Sequence, residues 1–206
     1  MEEELNGLYT LRKKEIRQRL REFRNVPPGE YFYEMVYCLL TPQTSARNAG
    51  YAVNSLKLHR YHERDIDPTP LLHSGDYYIR FHHTKAKRLD ALKVQFPRIK
   101  YILEDNAMSA FEKREFLASV INGYGLKEAT HFLRNIGKND GLAILDRHIL
   151  RNLHKFGAID TIPKSISKKQ YYRLEAQFNA FAAKVSIPLD ELDLLFWSLE
   201  TGNILK

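Results

Sequence analysis

The sequence predicts an all-α protein of roughly ten helices, and three observations support this fold class. Apolar residues recur three or four positions apart along most of the chain, the alternation typical of strands is absent, and Ser, Gly and Pro stand where helices would begin or end. The 206 residues allow one domain or two small lobes that share helices. A hydrophobic content of 44% and a charged content of 28% are ordinary for a globular protein and argue against global disorder.

Proline and glycine separate the helices predicted in the first half of the chain. A basic first helix ends near residues 25–29, and a second ends before Pro42, which lacks the N–H that a further turn would need. A third helix begins around Thr44 or Ser45. Residues 59–75 contain two prolines and predict loops and short turns.

Capping signals mark the helices predicted in the second half. Residues 85–96 predict a helix that ends at Pro97. Ser109–Glu112 and Ser167–Gln170 are capping-box patterns, in which the serine and the residue three positions later each satisfy a free backbone N–H. A helix should therefore begin at each of them, and the last helix should end at Gly202.

The charge and the cysteine content narrow the function. The chain has 32 Lys and Arg against 25 Asp and Glu, a net charge of +7 that suits a polyanionic partner such as nucleic acid or an anionic membrane surface. The single cysteine, Cys38, excludes an internal disulfide, an iron–sulfur cluster and a Cys-rich zinc site. No signal peptide and no membrane-spanning run are evident, so we expect a soluble intracellular protein, in the cytoplasm or nucleoid, without a membrane partner.

Residues 112–137 predict two helices joined by a short glycine hairpin. Gly123 and Gly125 allow positive φ angles, and the free N–H groups and positive dipole end of the next helix face the same spot. A helix-hairpin-helix uses this arrangement to bind a DNA phosphate without regard to sequence. A tight corner between two helices, with glycines needed only for packing, explains the short Gly-x-Gly pattern equally well.

Lys127 lies in the predicted first turn of the helix after the hairpin. A cation there opposes the helix dipole, so the position suits a structural lysine less than an amine that must be neutral to act as a nucleophile. Asp146 follows 146 − 127 = 19 residues later, and taken by itself it is more typical of a helix N-cap. As a pair, the two residues supply a nucleophile and a carboxylate that can stabilise positive charge on a sugar.

Two motifs carry a resemblance to a known family. Lys-Glu-Ala-x-His-Phe-Leu-Arg-Asn begins at Lys127, and Ala-Ile-Leu-Asp-x-His contains Asp146. With Leu-Leu-Thr-Pro-Gln-Thr-Ser-Ala at 39–46, Arg-Phe-His at 80–82 and the segment from Trp197 onward, the chain resembles the helix-hairpin-helix DNA glycosylase superfamily, and more narrowly the type-2 8-oxoguanine DNA glycosylases of archaea and some bacteria. The resemblance covers nearly the whole chain.

The resemblance implies two helical lobes with the active site in the cleft between them. The central lobe would comprise residues 30–137, including the helix-hairpin-helix at 112–137, and the second lobe residues 1–29 and 138–206. The implied partner is double-stranded DNA containing oxidised guanine, and a monomer is expected. No metal or organic cofactor is required, although the sequence leaves open whether the hairpin carbonyls hold a monovalent cation.

The implied activity is that of a bifunctional base-excision-repair enzyme, a DNA N-glycosylase with AP-lyase activity. Family members flip the damaged nucleotide out of the duplex. Lys127 would attack the anomeric carbon, expel 8-oxoguanine and form a Schiff base, from which β-elimination breaks the strand. Asp146 would help to deprotonate Lys127 and would stabilise the oxocarbenium-like sugar by its charge.

The resemblance also assigns residues to the base pocket and to the DNA. Phe81 and Trp197 match aromatic positions that contact the extruded purine, although burial on the last helix explains Trp197 equally well. Lys206 matches the residue whose carboxylate accepts the N–H that distinguishes 8-oxoguanine from guanine. Gln43 matches a loop that enters the duplex, with a helix-ending turn as the alternative. The other predicted DNA contacts are Gly123, Gly125, Arg147 and Arg151.

Other functions are compatible with parts of this pattern. A glycosylase for another lesion, such as an oxidised pyrimidine or another purine, would keep Lys127 and Asp146, and a non-catalytic protein that binds DNA structure would use the hairpin alone. A Schiff-base aldolase would need barrel strands that the sequence does not predict. His131, on the same helix face as Lys127, is expected to be structural. The basic run 80–88 either lines the DNA channel or is a solvated surface.

Overall fold

The all-α prediction is confirmed by the computed structural model, which describes residues 2–204. Within that range the chain forms nine α-helices, two short 3-10 helices and no strand beyond one isolated bridge between His73 and Tyr78. None of these helices is long and apolar enough to cross a membrane. The α-helices are α1 (Glu2–Arg24), α2 (Tyr31–Leu40), α3 (Ala46–Leu58), α4 (His82–Glu104), α5 (Ala110–Val120), α6 (Leu126–Asn135), α7 (Arg147–Lys155), α8 (Lys168–Lys184) and α9 (Leu189–Thr201), and the 3-10 helices are Pro28–Glu30 and Thr69–Leu72.

The helix boundaries follow the capping signals of the sequence. At the start of α5, the Ser109 hydroxyl accepts from the Glu112 N–H and the Glu112 carboxylate accepts from the Ser109 N–H. Ser167 and Gln170 form the same reciprocal pair at the start of α8. α9 ends at Gly202, which has a left-handed backbone with a φ of 79°. These predicted helix ends are confirmed.

The predicted end of the fourth helix at Pro97 is wrong, because α4 continues to Glu104 with Pro97 inside it. A proline in a helix interior removes one hydrogen bond and costs about 3 kcal/mol or more. Beyond it, however, Ile99 and Leu103 are 1% and 0% exposed. Burying each of these side chains contributes about 1.5–3 kcal/mol, which offsets the cost of the proline.

The chain divides into two compact units. One comprises Val26–Phe132, which we call the central unit, and the other comprises residues up to Asn25 together with those from Leu133 onward, which we call the terminal unit. The second division falls inside α6. Both ends of the central unit lie a few residues before the predicted bounds of 30 and 137.

The central unit is built around α2. All ten residues of this helix are buried, which is the pattern of a helix surrounded by other elements. α3 and α4 both pack against it. The Phe32 ring of α2 lies 5.2 Å from the Phe96 ring of α4, edge to face.

In the terminal unit, α9 packs against α1, α7 and α8. The Phe196 ring of α9 stacks on Phe156 and Phe178, with centroid distances of 5.6 and 5.8 Å. The Tyr9 hydroxyl of α1 donates to Glu191 of α9, and Arg17 donates to both oxygens of the same carboxylate at 3.1 Å. These polar contacts join the first helix of the chain to the last described one.

Candidate active site

The hairpin between α5 and α6 is anchored in the central unit by Tyr124. This side chain is 7% exposed, and its hydroxyl donates a 2.7 Å hydrogen bond to the Met35 carbonyl oxygen in α2. Burial raises the pKa of the Tyr124 hydroxyl well above its usual value, so the hydroxyl remains a donor. Asn122 and Gly125, on either side, are exposed. The anchor therefore fixes the hairpin on the core while part of its backbone faces solvent.

The two hairpin glycines are needed for different reasons. Gly123 has a φ of 97°, and a Cβ there would lie 2.8 Å from Nη1 of Arg88. Gly125 has no positive φ, and a Cβ there would lie 3.3 Å from Oε2 of Glu128. Only Gly123 therefore uses the left-handed conformation that the sequence allowed for both. Gly125 leaves room for a carboxylate instead.

Replacing Gly123 with alanine should lower the free energy of unfolding by more than about 1 kcal/mol, because the side chain would be strained at positive φ and would collide with Arg88. Gly125→Ala is the matched control, since its Cβ meets only the end of a flexible side chain, and it should cost less. Equilibrium urea unfolding measures both variants. Equal losses would contradict the separate roles of the two glycines.

Arg88 brings a positive charge to the hairpin. It lies in α4, within the basic run 80–88, and its side chain occupies the space that a Cβ on Gly123 would need. A guanidinium beside backbone N–H groups and a helix N-terminus suits a phosphate. Arg88 was not among the predicted site residues, because only the packing of α4 reveals which residue of the run reaches the hairpin.

Lys127 lies in the first turn of α6, as predicted, with its side chain 28% exposed. Its Nζ lies 3.0 Å from Oε1 of Glu128. The other oxygen of that carboxylate, Oε2, accepts a 3.1 Å hydrogen bond from the Gly125 N–H. Glu128 thus satisfies a free backbone donor at the helix start and also holds the Lys127 amine. Glu128 was missed in the sequence, although its position three residues after Gly125 has capping-box spacing.

Gln43 lies in the turn between α2 and α3, exposed and with a φ of 57°. A buried lysine fixes this turn. Lys85 of α4 is 2% exposed, and its Nζ donates to the carbonyl oxygens of Leu40 and Pro42 at 2.7 and 2.8 Å and to the Thr44 hydroxyl at 3.2 Å. Burial lowers the pKa of Lys85 to about 8. This lysine of the basic run is therefore not part of a solvated surface, and the conformation that exposes Gln43 depends on it.

The two predicted aromatic contacts differ in exposure. Phe81 precedes α4 with a φ of 61°, its side chain is 50% exposed, and the Arg80 guanidinium lies 5.0 Å from its ring centroid. Core packing does not explain an exposed ring on a strained backbone. Trp197 of α9 is half-buried.

His131 is buried, with its ring 6.0 Å from that of Tyr37, as expected of a structural histidine.

Asp146 is the N-cap of α7, so the cap alternative is confirmed as one of its roles. Its Oδ1 accepts hydrogen bonds from the His148 and Ile149 N–H groups at 2.8 and 2.9 Å. Among residues 2–204, no donor is hydrogen-bonded to the other oxygen, Oδ2. The side chain is partly exposed. The cap therefore fixes the carboxylate and leaves one oxygen available.

A second acidic group lies in the electrostatic surroundings of Asp146. Burial raises the pKa of Asp193 to about 7, a nearby Arg134 guanidinium opposes this rise, and the charge of Asp146 adds to it. Nη1 of Arg134 lies 3.8 Å from Oδ2 of Asp193. The Arg134 guanidinium also lies 4.8 Å from the Phe23 ring centroid. Near neutral pH, Asp193 therefore takes up a proton more readily than an ordinary carboxylate does.

Arg147 and Arg151 are exposed on the first turns of α7. Nη1 of Arg151 lies 3.4 Å from Oε2 of Glu200, and Nδ1 of His148 lies 3.3 Å from the same oxygen. Exposed pairs of this kind contribute about 0–1 kcal/mol, so a phosphate would readily replace Glu200 as the partner of Arg151.

The predicted site residues fall into both units. Lys206 lies outside the described residues. In the part of the chain that is described, no group of three or more His, Cys, Asp or Glu side chains is placed to hold a metal ion. The central unit contains Gln43, Phe81, Gly123, Gly125 and Lys127, and the terminal unit contains Asp146, Arg147, Arg151 and Trp197.

The chain is similar to one family along most of its length. The family model for 8-oxoguanine DNA glycosylase matches residues 13–187. A protein of Fusobacterium nucleatum named 8-oxoguanine DNA glycosylase/AP lyase is 35% identical, and the match covers 98% of this chain and 96% of that protein. A protein of the same name from Methanocaldococcus jannaschii is 36% identical, with 92% and 89% of the two chains covered.

Two solved structures have the same fold. The M. jannaschii 8-oxoguanine glycosylase/lyase, in complex with a 15mer DNA containing 8-oxoguanine, matches with a TM-score of 0.81 and 32% identity, covering 98% of this chain and 99% of that one. The 8-oxoguanine DNA glycosylase of Thermotoga maritima matches with a TM-score of 0.81 and 29% identity, covering 100% and 98%.

Proposed function

The chain belongs to the 8-oxoguanine DNA glycosylase family, and we propose that Lys127 and Asp146 carry out its reaction. It is a DNA glycosylase with AP-lyase activity, which excises 8-oxoguanine from DNA and cleaves the strand at the resulting site. The observation that supports the role of Lys127 most directly is its place: a partly exposed amine in the first turn of α6, directly after the hairpin. A DNA phosphate bound there places a deoxyribose within reach of an amine.

The proposed reaction begins with attack of the neutral Lys127 amine on C1′ of the damaged nucleotide. The C1′–N9 bond breaks, and the base leaves with its electron pair. As the sugar ring opens, a proton passes from the nitrogen to O4′, and a protonated Schiff base forms. Loss of a 2′ proton then expels the 3′ oxygen, which breaks the strand. The positively charged iminium nitrogen stabilises the electron pair that the C2′–H bond leaves behind. The reaction therefore requires no cofactor as an electron acceptor.

Asp146 stabilises the positive charge that develops on the sugar as the base departs. Its Oδ1 is held by two backbone N–H groups, so the carboxylate does not have to reorganise when charge appears. Preorganised charge of this kind is often the largest single contribution to catalysis. We assign this task to Oδ2, which accepts no hydrogen bond from residues 2–204.

The remaining predicted residues bind DNA in this proposal. The hairpin at Gly123 and Gly125 and the Arg88 guanidinium bind a phosphate, with the Gly125 N–H remaining bonded to Glu128, while Arg147 and Arg151 bind other phosphates. Gln43 enters the duplex where the damaged nucleotide has left the stack, and Phe81 and Trp197 contact the extruded base. The exposure of Gln43 and Phe81 supports these roles, because both side chains are accessible to DNA and each residue has a left-handed backbone.

Borohydride trapping on defined duplexes tests the proposed function. Incubation with a duplex containing 8-oxoguanine should give a covalent protein–DNA adduct and a strand cleaved on the 3′ side of the lesion. An undamaged duplex of the same sequence is the control and should give neither. The absence of an adduct with any lesion would contradict the lyase activity, and an adduct with oxidised pyrimidines but not with 8-oxoguanine would assign the protein to a different lesion.

A further inference from the structure

The carboxylate that contacts the Lys127 amine belongs to Glu128. Among residues 2–204, the ion pair of Nζ is with Oε1 of Glu128, at 3.0 Å. An amine nucleophile must lose a proton before it attacks. From this contact we propose that Glu128 accepts the proton of Lys127, and the inference rests on the proposed role of Lys127 as the nucleophile.

Glu128 is fixed in the position that this role requires. Its Oε2 accepts from the Gly125 N–H at 3.1 Å, while Oε1 faces Lys127. Each oxygen therefore has its own partner, and the side chain is only 15% exposed. The lack of a Cβ at residue 125 makes room for this arrangement, since a Cβ there would press on Oε2 at 3.3 Å. A base held by a second contact is already oriented when the substrate binds.

Asp146, to which the resemblance also assigns the deprotonation of Lys127, is placed for a different task. Its Oδ1 is occupied by two backbone N–H groups at the start of α7, where the helix dipole favours a negative charge. A carboxylate bound in this way suits a constant charge beside the sugar. The two acidic residues then divide the work: Glu128 takes the proton, and Asp146 stabilises the sugar cation.

The proton moves because DNA changes the surroundings of the pair. In the free protein the Lys127 side chain is 28% exposed, so water solvates the ammonium and the carboxylate. DNA bound at the hairpin excludes this water and raises the cost of keeping two charges. Transfer of a proton from Nζ to Oε1 removes both charges at once and leaves a neutral amine beside a carboxylic acid. The departing base takes a proton from solvent, and Glu128 releases its proton to solvent after the reaction.

The substitution Glu128→Gln separates the two contacts of the side chain. Its amide oxygen can still accept from the Gly125 N–H, but the amide cannot take a proton from Lys127. Glu112 provides a matched control, because it makes the same kind of bond at the start of α5, accepting from the Ser109 N–H at 2.8 Å. Glu112→Gln therefore removes a carboxylate that has the same structural role but is not paired with the Lys127 amine.

The test measures single-turnover borohydride trapping at a pre-formed abasic site, where no base has to be expelled but the amine must still be neutral. Glu128→Gln should slow trapping and 8-oxoguanine excision by about 10²-fold, the lower range for general-base catalysis, with the Kd for DNA within about 3-fold of the parent. Glu112→Gln should keep the parent rates. Glu128→Ala should regain rate as formate is added, since an external carboxylate can then accept the proton.

Three outcomes would overturn the role of Glu128. These are parent-like trapping by Glu128→Gln, a loss of rate that weaker DNA binding explains entirely, or a folded Glu128→Ala variant that formate does not accelerate. Circular dichroism checks that each variant is helical, and the alanine variant serves if the glutamine variant does not fold. A parent protein that forms no adduct at all would instead contradict the proposed function, so the two failures are distinguishable.

Discussion

Replacing Lys127 with glutamine is expected to abolish the Schiff base and to slow 8-oxoguanine excision by at least about 10⁴-fold, as loss of a nucleophile does in other enzymes. The glutamine side chain is of similar length, but its amide nitrogen is not nucleophilic and cannot attack C1′. DNA binding should largely persist, because the hairpin N–H groups and Arg88 remain. Single-turnover excision and mass spectrometry of the borohydride-treated complex measure the loss.

Lys184→Gln is the matched control for this experiment. It removes the same charge from an exposed lysine of α8, whose Nζ lies 2.7 Å from Oε1 of Glu2. This variant should retain the parent excision rate, because a surface pair of this kind contributes little. An adduct formed by the Lys127→Gln variant at the parent rate would show that another amine is the nucleophile.

Replacing Asp146 with asparagine is expected to slow excision by about 10³-fold, because the negative charge that stabilises the sugar cation is lost. The amide oxygen of asparagine caps a helix about as well as aspartate, so the bonds to the His148 and Ile149 N–H groups should persist. The melting temperature should therefore change little. Cleavage at a pre-formed abasic site should fall less than excision, because no glycosidic bond breaks there.

Asp146→Ala separates the cap from the charge. It should show the same catalytic loss together with a decrease of about 1 kcal/mol in the free energy of unfolding, since alanine cannot cap α7. Parent-like excision by the asparagine variant would mean that Asp146 is only a cap. Equal losses on 8-oxoguanine and abasic substrates would place its contribution after base departure.

Several features of this protein could be predicted from the sequence because they depend on residues close together in the chain. The capping boxes at Ser109 and Ser167 are confirmed, as are the start of α6 before Lys127 and the cap at Asp146. Each is a hydrogen-bond pattern among residues at most four positions apart, so it can be recognised without the rest of the fold. Glu128 was not predicted, although its bond to the Gly125 N–H has the same short spacing and was therefore recognisable in the sequence.

Other features depend on burial and on contacts between distant parts of the chain, and these could not be predicted from the sequence. α4 continues past Pro97 because the core covers Ile99 and Leu103. Lys85 and Arg88 have the same kind of charge in the same basic run, yet one lies in the core beneath the Gln43 turn and the other packs against Gly123. Charge and helical periodicity do not distinguish such residues. Their roles follow from which neighbours the fold places around each side chain.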